Sequence, residues 1–260
     1  MNEAKILTID IETSPSLAYI WSLWDDSIPL ARLVEEGIVI CFAAKWLHKK
    51  STMFYSLAND GKEAMIQAAW DLLNEADIVV GFNHKNFDLR HLNREFLMAG
   101  LGSPSHYANL DILTIVRNKF KFVSNKLEHV AVQLGVGKKM KNSGFDLWVS
   151  CMAGTLIPGV DVDWDAWKEM EKYNKQDVRV TEAAYLKVRS WDTSNVHLGA
   201  YGGNEDCCRV CGGKDLEKRG YKVKGASVFQ QYQCKDVECR AWSRSAKAIK
   251  NQPKPTTRAI

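Results

Sequence analysis

Lys5-Ile6-Leu7-Thr8-Ile9-Asp10-Ile11-Glu12 is the stretch on which the reading of this chain turns. Its side chains alternate, so Leu7, Ile9 and Ile11 share one face of a strand while Thr8, Asp10 and Glu12 share the other. Two carboxylates two residues apart on one face repel each other unless a cation relieves them. Working outward, residues 13–33 hold two prolines with Trp21 and Trp24, and they read as a long loop over a sheet. Residues 37–47 (GIVICFAAKWL) form a second, largely buried strand and residues 52–57 a third. Residues 63–75 have helical spacing, 78–82 are a short apolar strand, 87–99 are helical, and Leu110-Asp111-Ile112 sits on a further strand or turn. Leu127, Val130, Ala131 and Leu134 place a short helix over 125–134. The glycine-rich residues 135–163 read as irregular, and a long helix fills 165–189. Three early strands followed by alternating helices and strands predict an α/β fold, a mixed sheet flanked by helices.

The 260 residues suffice for one sizeable core and a smaller module. With 46% hydrophobic and 25% charged residues, disordered and collagen-like classes are excluded. No apolar run reaches the ~18 residues that span a bilayer, so no membrane partner is expected. Met1 to Lys5 lack a signal-peptide profile, which predicts a reducing cytoplasm, or the host cytoplasm if the protein is viral. Charge is uneven: residues 191–260 carry 13 Lys+Arg against 7 Asp+Glu, leaving 22 against 24 in residues 1–190. A basic tail on a near-neutral body suits a polyanionic partner or simply a solvated tail. Cysteines are equally uneven. Cys41 and Cys151 stand apart, with Cys41 in an apolar run, while five crowd between 207 and 239 as a metal-binding group would.

The long helix carries the strongest clue. At 100° per residue, Trp167, Met170, Tyr173, Val180, Ala184 and Val188 fall on one face, and Asp177 lies at its centre. Lys168, Glu171, Lys172, Lys175, Arg179 and Glu182 take the opposite face. A carboxylate on an apolar face costs several kcal/mol unless something positive compensates it. Asp88 begins a helix one and two turns before Leu92 and Phe96, near the inward side. Each acid has a structural alternative: Asp88 a helix cap, Asp10 and Glu12 edge-strand charges, Asp177 the partner of a buried arginine. Four together, with no basic company identified, point to two hard divalent cations held by oxygen ligands.

These residues also match a pattern. Asp10-Ile11-Glu12 followed by Thr13 is a D-x-E motif, and Asn83-His84-Lys85-Asn86-Phe87-Asp88-Leu89-Arg90-His91-Leu92 is an N-x-x-x-F-D-x-x-x-L motif. Tyr173-Asn174-Lys175-Gln176-Asp177 is a Y-x-x-x-D motif. Over roughly residues 5–190 the chain resembles the DEDD superfamily of ribonuclease-H-like exonucleases, which includes the proofreading domains of DNA polymerases. Tyr173 matches its tyrosine branch, DEDDy, since the histidine branch would need His where Lys172 stands. The stretch 119–177 further resembles small exonuclease-like proteins of bacteriophages. The resemblance implies a 3′→5′ exonuclease with two Mg²⁺ or Mn²⁺ ions held by Asp10, Glu12, Asp88 and Asp177, and with Tyr173 orienting the attacking water. Asp111 resembles a further acidic position of related exonucleases, and equally suits a turn after a strand.

Between Arg117 and Lys141 lie seven basic residues and one acid, Glu128, with Phe120 and Phe122 alternating with Lys119 and Lys121. Lys119, Lys121 and Lys126, with Asn83 and Phe87, are the expected nucleic-acid contacts, the cations meeting phosphates. Lys138, Lys139 and Lys141 read equally as a plain surface run. The expected substrate is DNA, as single strands or 3′ ends, or RNA, and without a polymerase region a proofreading role would require a polymerase or replication partner. The alternatives are a structure-specific endonuclease on the same ligands and a non-catalytic nucleic-acid-binding module.

In the tail, Cys208-x2-Cys211 and Cys234-x4-Cys239 predict one structural zinc in a four-cysteine ribbon, with Cys207 an alternative to Cys208. Two strands are expected around a turn at Gly225, and metal should supply most of the folding free energy. Arg209, Lys214, Lys218, Arg219, Lys222, Lys224 and Arg240 give this module a basic surface. The predicted organisation is an exonuclease-like domain over 1–190, a linker over 191–205 and a zinc-ribbon module with basic tail over 206–260.

Overall fold

Strand β1 (Ile6–Thr13) lies at the centre of a five-stranded sheet, and its alternating sequence lets it serve two layers at once. The computed structural model describes residues 4–24, 27–194, 196–201, 206–225 and 227–249. After β1 come a small hairpin, β2 (Leu17–Ala18) and β3 (Leu33–Glu35), then β4 (Val39–Trp46), β5 (Met53–Ser56), α1 (Leu57–Asp60), α2 (Lys62–Glu75) and β6 (Ile78–Gly81). α3 (Asp88–Met98), β7 (Ala108–Asp111), α4 (Ile112–Lys119), α5 (Leu127–Gln133), α6 (Phe145–Met152) and α7 (Trp164–Val188) follow. Two compact units result, one of Lys5–Ala184 and one that groups Ala4 with the residues from Tyr185 on.

The sheet order is β5-β4-β1-β6-β7. β4 pairs antiparallel with β1 and β5, whereas β6 runs parallel to β1 and to β7. Leu7, Ile9 and Ile11 pack into a cluster with Met65, Ile66 and Leu73 of α2 and Leu92 and Phe96 of α3. The other side is covered by Leu147 and Cys151 of α6 and by Trp167 and Met170 of α7, which meet Ile40 and Cys41 of β4. Three layers therefore enclose β1, and its Asp10 and Glu12 open toward the α7 side.

Three expectations need correction. Residues 135–163 are not uniformly irregular: α6 forms there because Leu147 and Cys151, four apart, reach the core between Gly144 and Gly154, which both have positive φ. Residues 13–33 are not one long loop, because β2 pairs with β3, and Trp21 and Trp24 are each 88% exposed. Glu182 is not a solvated charge. Lys45, reaching from β4, donates to both its oxygens at 2.6 and 2.7 Å, and the pair is nearly closed to solvent.

The second unit holds a short helix α8 (Leu198–Tyr201) and the strands β8 (Leu216–Lys224), β9 (Ser227–Cys234) and β10 (Trp242–Arg244). β8 and β9 form an antiparallel hairpin whose turn uses Gly225 at φ +57°, and β10 adds to β9. Of the stretch read as a linker, Asn195 and residues 202–205 lie outside the described residues, as do Lys250, Lys254 and Arg258 of the tail.

Candidate metal and nucleic-acid site

The acidic site is assembled from β1, the start of α3 and the middle of α7. Asp163 accepts from the backbone N–H of Asp165 and Ala166 at 3.2 and 3.0 Å, which starts α7 and sets its phase. That phase buries Asp177 and Asn174 against the sheet. Asp10, Glu12 and Asp177 each place one carboxylate oxygen within 4.8 Å of the others. Asn174 Nδ2 donates to Asp10 Oδ2 at 2.7 Å and fixes its rotamer. Asp88, 4% exposed, opens α3 but does not cap it; its Oδ1 accepts from the Ile11 N–H at 3.0 Å. This bond ties the third acid to the strand between the first two.

The segment before Asp88 is held by Asp111. Its Oδ1 accepts from Leu113 N and Asn83 N, both at 3.0 Å, so it caps α4 and clamps the 83–87 turn in which Asn83 has φ +67°. Asp111 thus follows its structural alternative, with the added task of placing the turn that leads to Asp88. His84, fully buried, bonds Asn109 Oδ1 at 3.2 Å and leaves no room for a side chain at Gly81, where an added Cβ would fall 2.5 Å from His84 Cβ.

Like charges in a partly buried cluster perturb one another. Burial, then the repulsion of Asp88, Glu12 and Asp177, pushes the Asp10 carboxyl well above its ordinary value. Burial and Asp177 push Glu12 up to about 8. Burial raises Asp88 to about 7 despite the donated backbone N–H groups, and burial also raises Asp177. A set of carboxylates that all resist ionisation is short of positive charge.

One cation was missed by sequence reasoning. Lys139 donates to Asp177 Oδ2 and lies 3.2 Å from the Tyr173 hydroxyl, so the acids do have basic company. Burial alone depresses the Lys139 pKa, but the Asp177 charge outweighs it and keeps the ammonium protonated. The KKMK run gave no periodic signal for this placement; a lone half-buried lysine among solvated ones is visible only once the loop is folded. A single ammonium does not match four carboxylates. Asp177 Oδ1 remains buried without a hydrogen-bond partner, and the Asp10–Glu12–Asp177 oxygens converge; this donor set, all oxygen, fits a hard divalent cation. Tyr173 packs edge-on against Trp148 at 5.9 Å, and burial pushes its phenol above the ordinary tyrosine value.

The expected nucleic-acid contacts are divided. Lys119, Lys121 and Lys126 are exposed, and Phe120 packs against Phe122 at 5.7 Å. Phe87, 40% exposed and set against His91 at 4.7 Å, offers a ring face beside Asp88. Asn83 is occupied by its turn, and its N–H is taken by Asp111.

In the second unit, Cys208, Cys211, Cys234 and Cys239 bring their sulfurs within 4.8 Å of one another. Cys208–Cys239 and Cys211–Cys234 are each separated by 3.7 Å, too far for a disulfide. It is close to the ~3.8 Å edge of a tetrahedron with 2.3 Å metal–sulfur bonds. The contact between the Cys208 and Cys239 sulfurs draws the Cys208 thiol down to about 5 and pushes the Cys239 thiol up. Cys207 is buried and stands outside the group of four. Arg209 is not a free surface cation, because its guanidinium donates to the Asp192 and Ser194 carbonyls.

No helix among the described residues is long and apolar enough to cross a membrane. A family model described as RNase_H_2, of the RNase_H superfamily, matches residues 33–153. That span contains Asp88, Asp111 and Lys139 and ends short of α7. No curated protein matches. Among solved structures, the chain is similar to the family B DNA polymerase from the hyperthermophilic archaeon Pyrobaculum calidifontis, at 20% identity and a TM-score of 0.50. The similarity covers 87% of this chain but 32% of the polymerase, so the chain spans about a third of that protein's length. The core is a ribonuclease-H-like mixed α/β fold.

Proposed function

We propose that the chain is a divalent-metal-dependent nuclease of the DEDDy type that hydrolyses phosphodiester bonds from the 3′ end, with single-stranded DNA as the favoured substrate. The observation that carries this reading is the convergence of Asp10, Glu12 and Asp177, which lie far apart in the sequence, together with a buried Asp177 Oδ1 that has no hydrogen-bond partner among the described residues. Asp10, Glu12, Asp88 and Asp177 would hold two Mg²⁺ or Mn²⁺ ions. Bound there, such ions supply Lewis acidity for a water nucleophile and neutralise the leaving oxygen.

The chain's own residues do the rest. Asn174 and the Ile11 N–H hold Asp10 and Asp88 in fixed rotamers, so the ligands need little reorganisation. Tyr173 stays protonated, which makes its hydroxyl a donor that orients a water and a poor base for it. Lys139 keeps its charge beside Asp177 and offsets negative charge that a phosphate brings into the cleft. The exposed Phe87 ring suits stacking of a terminal base. We read the four cysteines as one structural Zn²⁺ site and the 206–260 segment as a module that it folds.

Incubation of 5′-labelled single strands with Mg²⁺ should give a ladder shortening from the 3′ end. Asp10→Ala and Asp177→Ala should each abolish it while the far-ultraviolet spectrum is kept. Full activity in either variant removes the site, and internal cuts in a circular strand would replace the exonuclease reading with an endonuclease.

A further inference from the structure

Helix α7 presents a second surface that the acidic site does not use. A shallow groove of about 550 Å³ runs along it, lined by Lys138, Lys168, Lys172, Lys175 and Arg179 against a single acid, Glu171. The four cations of α7 recur at steps of four, three and four residues, so they form one ridge about 16 Å long at 1.5 Å per residue. Lys138 supplies positive charge from a different element, the loop before α6. Neighbouring like charges on a helix are mutually unfavourable, and only part of this repulsion is relieved internally. Lys175 pairs with Glu171 at 2.5 Å and Lys168 with Asp165 at 2.9 Å. Among the described residues, no carboxylate lies within ion-pair distance of Lys138 or Lys172, and Arg179 makes only a long 3.4 Å contact to Thr52 Oγ1.

The groove adjoins the acids through the covalent chain itself. Gln176 lines the groove and Asp177 joins the acidic site; Lys138 lines the groove and Lys139 bonds Asp177. On both the helix and the loop, consecutive residues serve the two surfaces.

We propose that this groove binds the sugar–phosphate backbone of a nucleic-acid strand at phosphates away from the one being cleaved. The inference rests on the nuclease reading for the strand's purpose there, but not for its binding. A linear row of cations at regular helical spacing, with Met140 as the apolar residue of the lining, matches the repeating charge of a sugar–phosphate strand.

The test uses the full chain carrying Asp10→Asn, so that the strand survives, and measures anisotropy of a fluorescent single-stranded oligonucleotide over a salt series. Each phosphate contact contributes about 0.7 to the slope of log K against log salt for single strands. Lys138→Ala/Lys172→Ala/Arg179→Ala should lower that slope by about 2 and the affinity at 0.1 M salt by roughly a hundredfold. Lys49→Ala/Lys50→Ala, two exposed lysines on the β4–β5 turn, should change neither. An unchanged slope in the triple variant overturns the groove, and so does an equal loss in the lysine control. Competition by polyglutamate of equal charge as effective as by unlabelled strand also overturns it in favour of an acidic protein ligand. Absence of hydrolysis by the unmutated chain, with groove-dependent binding intact, would sink the nuclease reading alone.

Discussion

Raising the pH of the ion-free protein from about 5 to about 8 should destabilise the Lys5–Ala184 unit, and the acidic site sets the size of the loss. Glu12 moves from 4.5 in the unfolded chain to about 8 in the fold, and Asp88 from 3.8 to about 7. Between these limits the folded state holds protons that the unfolded chain has released, so stability falls as pH rises. The window opens near pH 4 and closes near 7 for Asp88 and near 8 for Glu12. At about 1.4 kcal/mol per pH unit, the gap for Glu12 alone sets a ceiling of roughly 5 kcal/mol. Glu12 keeps part of its surface in solvent, which brings the realistic loss nearer ~2 kcal/mol, or a fall of about 4–8 °C in Tm. Thermal unfolding by circular dichroism, in buffers freed of divalent ions by resin, reads this directly. Millimolar Mn²⁺ should restore Tm at pH 8 and do little at pH 5, where protons compete for the same oxygens. Glu12→Gln should flatten the profile. A Tm that is level or rises with pH, or an equal Mn²⁺ effect at both ends, would refute the assignment of these acids as one strained cluster.

Lys139→Met should strengthen Mn²⁺ binding about tenfold or more by titration calorimetry, since a charge-assisted bond of about 1.5–3 kcal/mol no longer competes for Asp177; weaker binding would make the lysine a supporter of the ions. Cys234→Ser should reduce the zinc content found by atomic emission from one per chain to near zero and lose the β8–β9 signal, with the acidic site still binding Mn²⁺. Lys45→Met should cost about 3–5 kcal/mol in urea unfolding, because Glu182 is left charged and nearly enclosed; Lys45→Met/Glu182→Leu should recover most of it.

What could be read from the chain was whatever local spacing decides. The alternation of Leu7, Ile9 and Ile11 placed Asp10 and Glu12 on the opposite face, and the 3.6-residue period placed Asp177 within an apolar stripe; both agree with the burial found. Partners contributed by distant elements were hidden. A helical wheel assigns Glu182 to solvent because it has no knowledge of Lys45 on β4. Lys139 lies in a run of lysines without period, and its role depends on how the loop before α6 returns to α7. Asn174 sat in plain view inside the Y-x-x-x-D motif, but the motif marks only its ends; the hydrogen bond to Asp10 spans 164 positions. α6 escaped because the glycines at 144 and 154 dominate its surroundings, although Leu147 and Cys151 carry a helical repeat.

The distance in sequence between β1 and α7 has a consequence for biosynthesis. A polypeptide emerging from the ribosome presents Asp10, Glu12 and Asp88 long before residue 177 is made, and Asn174, which steadies Asp10, arrives just ahead of it. Until α7 docks and Lys45 finds Glu182, the acidic cluster lacks Asp177 and the neighbouring Tyr173 hydroxyl. Non-local pairings of this kind form late and slowly. The order of translation therefore leaves the acidic cluster open until α7 has been made and has docked.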